Sequence, residues 1–443
     1  MVKIALCTVF LIGFFTILVV GCKSTDREEK VRLVVHGITP QSTAEKAGIR
    51  EKDILISYNG IPVTTIKELN KLKDEVTSDS VEVSIERDGK EMVVRLPKGQ
   101  MGVFLKELLP DITYRKDAVV IEGIPPLDWS TGKSNSFHAS IEAIANYLGI
   151  EKDYTYLYGV SGAAFRLHFH KEWCPSSPDP TCGYNVGEEA LKAFGLEYRS
   201  FFVPEDDIEG KEELKKEILA SIDKKMPVIA IDLIGVPEWG IIAGYQVGGE
   251  ELICQTYFNR REGYDIADKF PWAVYLIDGK KPMPSDIDNY KKSFSIVLEN
   301  LSHSEYDEYL SGLAAFDRWI KRLESDNFEK MEEEKYREVS HANAWIYDRL
   351  AEDREYAVKY LKRIQGDFPK LKDSIGRLIK IYLMEVDILK PTEDVVMYQF
   401  NMKNREDWTP GMRKEAIKRL KKARGKEEEA LSLWKKIVQE IKK

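Results

Sequence analysis

Hydrophobic spacing divides this chain into four zones. Residues 4–21 form one uncharged apolar run behind Lys3. Residues 31–105 alternate short apolar stretches with turn signals. Ile54 and Ile56 share one face of a strand predicted at 53–58, and Asn59-Gly60 marks a tight turn. Asp88-Gly89 separates strands predicted at 80–87 and 91–96. A one-turn helix at 43–47 ends at Gly48, and Ile66, Leu69 and Leu72 give an apolar face to a helix at 65–76. Residues 118–301 mix both periods. Strands are predicted at 119–123, 197–203, 226–233, 237–245, 251–257 and 273–277, with helices at 136–148, 187–194 and 212–224. That alternation predicts helices on a mostly antiparallel sheet. From residue 302 the pattern is helical throughout. Tyr309, Leu313, Phe316, Ile320 and Leu323 step by four and three, and Thr409-Pro410 reads as the cap and first residue of a last helix. Helices with short connections predict an antiparallel bundle over 302–443.

Composition narrows the function classes. A length of 443 residues with 43% hydrophobic content suits two or three cores. The net charge of −8, without a basic stripe interleaved with aromatics, argues against a nucleic-acid partner. The basic run at 413–426 reads as a solvated helix face rather than a lipid-binding patch, and Trp408 and Trp434 as core.

The apolar run at 4–21 closes with L-V-V-G-C and is followed by polar residues. It resembles a bacterial lipoprotein signal. The resemblance implies a signal peptide at 1–21, acylation of Cys22, a tether at 22–30, and anchoring on the extracytoplasmic face of a cell or outer membrane. An uncleaved membrane anchor is the alternative. Of five cysteines, Cys174 and Cys182 flank C-P-S-S-P-D-P-T-C and are expected to form a disulfide in an oxidising envelope. Cys254 lies in an apolar run and is expected to be a buried thiol.

The stretch G-I-T-P-Q-S-T-A-E-K-A-G-I-R-E-K-D-I-L-I-S-Y-N-G-I-P-V resembles a bacterial PDZ domain, here spanning 31–105. The loop Gly99-Gln100-Met101-Gly102-Val103 follows the hairpin instead of preceding the domain, as in a circularly permuted PDZ arrangement. The resemblance implies that Gln100, Met101, Gly102 and Val103 offer N–H groups to a peptide carboxylate. Leu69 and Leu72 would then line the groove, and the peptide would add as a strand. Protein C-termini or extended peptides are the expected partners.

The central zone is organised by N-S-F-H-A-S-I-E-A-I-A-N-Y-L-G at 135–149 and P-E-W-G-I-I-A-G-Y at 237–245. Ile141, Ile144, Ala145 and Leu148 recur at helical spacing, with Ser136 the expected cap and Gly149 the stop. The pair resembles C39-like, papain-like cysteine peptidases and the butirosin-biosynthesis acyltransferase-type domain, on Ala139, Tyr147, Gly149, Trp239, Gly244 and Tyr245. The run at 157–178 resembles a set of bacterial proteins with the same domain. In such folds a cysteine at the helix start, where the dipole favours a thiolate, faces a histidine on the strand. Here Ser136, or Asn135, stands at the cysteine position and Glu238 at the histidine position. The third position falls near Gln255 or Asn259. The cysteine and the histidine are therefore both missing.

His168 and His170 share one face of a strand-like run and, with His138 or Cys174, have zinc-ligand chemistry. H-x-H alone is too weak a pattern, and an oxidised Cys174 cannot ligate, so neither metal nor cofactor is expected. The fold class expected is multidomain α+β: a PDZ β-barrel, a papain-like α+β domain at 118–301 and a C-terminal α-helical bundle. The expected function is a membrane-anchored binding protein with a catalytically degenerate peptidase-like domain. The alternative is an atypical hydrolase or acyltransferase working through Ser136, Glu238 or Cys174.

Overall fold

The computed structural model describes residues 31–39, 41–99, 101–392, 394–396 and 405–442. The signal, Cys22 and the tether lie outside the described residues, as does Gln100. No described helix is long and apolar enough to cross a membrane.

The first unit comprises β1 (Arg32–Ile38), α1 (Thr43–Lys46), β2 (Ile54–Tyr58), β3 (Ile61–Pro62), α2 (Ile66–Glu75), β4 (Ser80–Arg87), β5 (Lys90–Pro97) and β6 (Val103–Leu108). Its sheet runs β5-β4-β2-β1-β6, with β3 on β2. Turn chemistry sets its register. Asn59 and Gly60 take φ of 53° and 76°, and Asp88 and Gly89 take 52° and 71°, the left-handed values that tight hairpins need. Thr65 accepts from Glu68 N while Glu68 reaches back to the cap, closing a capping box at the start of α2. Leu33, Leu55, Leu69, Val83 and Ile85 form a core of their own.

The second unit is built on an antiparallel sheet. Its elements are β7 (Val119–Val120), α3 (Ser136–Tyr147), α4 (Tyr154–Val160), β8 (His168–His170), α5 (Val186–Ala193), β9 (Leu196–Phe202), α6 (Ile208–Asp223), β10 (Val228–Ile231), β11 (Trp239–Gln246), β12 (Glu251–Gln255), β13 (Asp265–Ile266) and β14 (Ala273–Lys280). Sheet order is β13-β12-β11-β10-β14-β9, with β7 on β11. Helix α3 packs against β10 and β11, and every residue from Ser136 to Ala145 is buried. The helical spacing of Ile141, Ile144 and Ala145 predicts one apolar face, but the polar Ser136, His138, Ser140 and Glu142 are buried as well.

The last part is helical: α7 (Asp286–Ser302), α8 (Gly312–Ser325), α9 (Glu333–Ile364), α10 (Lys372–Leu389) and α11 (Pro410–Ile441). Between α7 and α8 a hairpin of β15 (Glu305–Tyr306) and β16 (Tyr309–Ser311) pairs onto β8, with Tyr309 opposite His170. Tyr309 was expected on a helical face. The left-handed Asp307, φ 52°, turns the chain there, so Tyr309 falls in a strand and its spacing to Leu313 is incidental. The helices do not stand apart from the sheet unit. Tyr356, Tyr360 and Trp434 belong to the same core as Ile141, Val228 and Ile242. Gly159 on α4 permits this, because a Cβ there would collide with the Tyr360 ring. The basic run on α11 is also engaged. Arg413 is buried against Trp408 O and Glu329, and Arg424 pairs with Asp317 at 2.6 Å.

Candidate functional site

Two places concentrate the expected site residues. The first lies along β6. Among the described residues this strand pairs only with β1, so its other edge is free. Helix α2 lies beside that strand, its first N–H (Ile66) donating to the Glu107 carboxylate of β6 at 2.7 Å. The loop entering β6 is held from below by α1: Met101 O accepts from Ala44 N at 3.0 Å and Gly102 O from Thr39 N at 2.8 Å. Gly102 has φ 76°, and a Cβ there would run into the Ser42 side chain. Only glycine lets the loop pass so close.

The expected groove residues separate on this frame. Gly102 and Val103 lie at the loop and the strand start. The Met101 and Leu69 side chains are buried in the core and present no surface. Leu72 turns to the other flank of α2, where with Tyr58, Asn59, Ile61, Glu75 and Val76 it lines a hollow of about 300 Å³.

The second place is the start of α3. Asn135, not Ser136, is the cap: its Oδ1 accepts from His138 N at 3.1 Å. Ser136 is the first helical residue, and its Oγ is freed to cross to the strand. There it donates to Glu238 Oε2 and accepts from Trp239 N at 3.2 Å. The structure therefore brings Ser136 and Glu238 together across 102 residues of sequence. Burial pushes the Glu238 carboxyl up to about 7, against the lowering effect of the Ser136 hydrogen bond. Gln255 and Asn259 stay apart from this pair. Gln255 donates to Pro125 O, and Asn259 accepts from Thr256 N and donates to Gly263 O.

His138 does not supply the missing imidazole. Its ring contacts Asn135 Oδ1 at 2.9 Å and Ser161 Oγ at 3.0 Å, and burial holds it down at about 3, hence neutral. Sequence reading missed what packs around the pair. Glu352 of α9 accepts from Ser134 and pairs with Arg349, Tyr356 donates to Gly132 O, and Asp179 accepts from Trp239 Nε1 at 2.8 Å. Ser136 is left 3% exposed. A hydroxyl bonded to a carboxylate of raised pKa has the form of a nucleophile and base. No histidine or cysteine among the described residues bonds to either.

The expected Cys174–Cys182 disulfide is not formed, and both residues are buried thiols. Each has its own partner instead. Cys174 Sγ lies 2.9 Å from Ser176 Oγ, Ser176 Oγ lies 2.7 Å from the Tyr309 hydroxyl, and that hydroxyl also bonds to Cys182. Burial pushes the Cys182 thiol far up, so it stays protonated and unreactive. Cys254 is a buried thiol as expected from its apolar run. His168 and His170 serve structure: His168 meets Arg166, Cys182 O and Asn300, while His170 accepts from Glu172 N. Among the described residues no cluster of three such side chains fits a metal.

Comparison with known proteins bears on the first place alone. Residues 34–87 match the family model of the PDZ domain. A stretch of 68 residues is 38% identical to the Serine protease Do-like HtrA of Bacillus subtilis (strain 168), covering 15% of this chain and 15% of that protein. A crystal structure of a PDZ domain protein from Parabacteroides distasonis ATCC 8503 aligns over 62% of this chain and 59% of its own at 13% identity. Its TM-score of 0.14 is too low to carry a structural argument. The chain spans less than two thirds of either relative's length. Helix α2 thus lies within the stretch that matches a PDZ domain, and the loop and β6 extend the sheet of that unit, within a multidomain α+β chain whose last part is helical.

Proposed function

We propose that this chain is an envelope protein that captures extended peptides or protein C-termini on its PDZ domain, tethered to a membrane through Cys22. The free edge of β6 facing α2 carries the reading. It offers unpaired backbone groups to an added strand, next to a loop that glycine keeps open. A screen of random peptides with free C-termini, on the full chain taken from the membrane fraction, tests it. Enrichment of a common ending is expected, lost on Gly102→Val, whose side chain the loop cannot accept. Equal recovery of all peptides rejects the groove, and a chain found only in soluble fractions rejects the tether.

The middle unit reads as a peptidase-like scaffold that lacks the reactive pair. A second reading, a serine hydrolase or acyltransferase, is favoured by one observation, the Ser136–Glu238 hydrogen bond. Fluorophosphonate labelling separates the two. On the binding reading the protein stays unlabelled at pH 8, whereas labelling that Ser136→Ala abolishes would establish the enzyme.

A further inference from the structure

The two flanks of α2 say what kind of peptide the groove takes. Leu69 on this helix is buried in the core. At about 100° per residue, Leu72 and Glu75 fall to one side of it, and Ile66 and Lys73 to the other. The Leu72 side faces β2 and β3, where it lines the hollow with Tyr58 and Ile61. The opposite flank is turned away from that hollow, towards β6, the other strand that α2 touches. Lys73 therefore lies on the groove side. It is half-buried, and burial lowers its pKa. Among the described residues no carboxylate pairs with it and no acceptor bonds to it. Lys71, on the exposed face of α2, is paired with Glu75 at 3.8 Å. An ammonium partly stripped of water and left unpaired is costly, and a ligand carboxylate would offset that cost.

We propose that the groove between β6 and α2 selects peptides bearing aspartate or glutamate in their last three residues, with Lys73 as the residue that reads the charge. This rests on the groove reading above. The test uses the full chain and labelled ten-residue peptides with free C-termini, taken from the screen. Each is made with Glu or Asp, or with the neutral isosteres Gln or Asn, at those positions. Both sets keep the terminal carboxylate, so a difference reports the side chain alone. Fluorescence anisotropy is expected to show the acidic set binding about tenfold more tightly. Lys73→Met should erase the difference and Lys73→Glu should reverse it, with unchanged thermal melting as the folding control. Equal binding of the two sets to the unaltered chain overturns the proposal and leaves the groove standing. A preference that survives Lys73→Met also overturns it. If no peptide binds at all, the groove reading itself falls.

Discussion

Arg354→Met should destabilise the protein by about 3–5 kcal/mol, read as a lowered urea midpoint at pH 7. Arg354, Glu385 and Glu427 are fully buried where α9, α10 and α11 meet. Arg354 Nε donates to Glu385 at 3.1 Å, and its other end meets Glu427 at 2.5 Å. A further nitrogen donates to Ala164 O and Arg166 O, so the same side chain pins α9 to the turn after α4. Burial, then the Glu427 charge, raises Glu385 well above the carboxylate range, so it keeps its proton and donates it toward Glu427. The cluster is then neutral: one guanidinium, one carboxylate, one carboxylic acid. Removing the guanidinium leaves a carboxylate with no counter-charge and two carbonyls with no donor. The triple replacement Arg354→Met, Glu385→Leu, Glu427→Leu should recover most of the loss, because apolar packing replaces a buried ion pair at little net cost. A loss under about 1 kcal/mol for the single change would mean that water reaches the cluster.

That cluster was legible in the sequence, though it was passed over. Arg354 sits on the stripe of Tyr347, Leu350, Ala357 and Leu361. Glu385 follows Leu378 and Tyr382, and Glu427 falls between Leu420, Ala423 and Ala430. A charge at a core position of each of three helices is a signal that they meet there. The PDZ domain was readable because its information is local. Its turns, its capping box and the alternation of each strand all lie within a few residues. The groove was less so. Leu72 looks like groove lining by type, yet it lines the hollow on the far flank, and helix phase puts Lys73, a residue on, on the opposite one.

The central site shows the other limit. Ser136 and Glu238 were placed opposite each other by resemblance, and they bond. The segment entering α3 is tied down by Glu352 and Tyr356, about half the chain away, through Ser134 and Gly132, and no periodicity in α9 says which partner its polar side faces. The disulfide failed for a related reason. Two cysteines across a short Pro-rich loop suggest a bridge, but Tyr309 arrives from a distant hairpin and its hydroxyl bonds to Cys182 and to Ser176, the partner of Cys174. Capping failed locally. Asn135 and Ser136 are both good caps, and sequence cannot rank neighbours when one has a strand partner elsewhere.

Glu238 should make stability fall as pH rises from about 4.5 to about 7, and Glu238→Gln should remove that part of the slope. Its ordinary value is 4.5, and the folded value is about 7. Below the first, both states hold the proton and nothing changes. Between the two, the unfolded chain releases it while the folded chain keeps it, so the unfolded state gains. Above the second, both are ionised and the loss is complete. The difference amounts to about 1–3 kcal/mol, the lower end allowing for water on the exposed side of a half-buried group. Asp348 and Asp353, each pushed up to about 6 by burial, titrate with the same sign. The measurement is therefore a difference: urea unfolding of the unaltered chain and of Glu238→Gln, at pH 5 and pH 8. The glutamine keeps an acceptor for the Ser136 hydroxyl but has no charge to bury. Its stability relative to the unaltered chain should rise by that amount between pH 5 and pH 8. Parallel behaviour of the two proteins would show Glu238 already ionised at pH 5. A carboxylate already ionised across that whole range would be a weaker base towards the Ser136 hydroxyl, and the scaffold reading would then gain what the hydrolase reading lost.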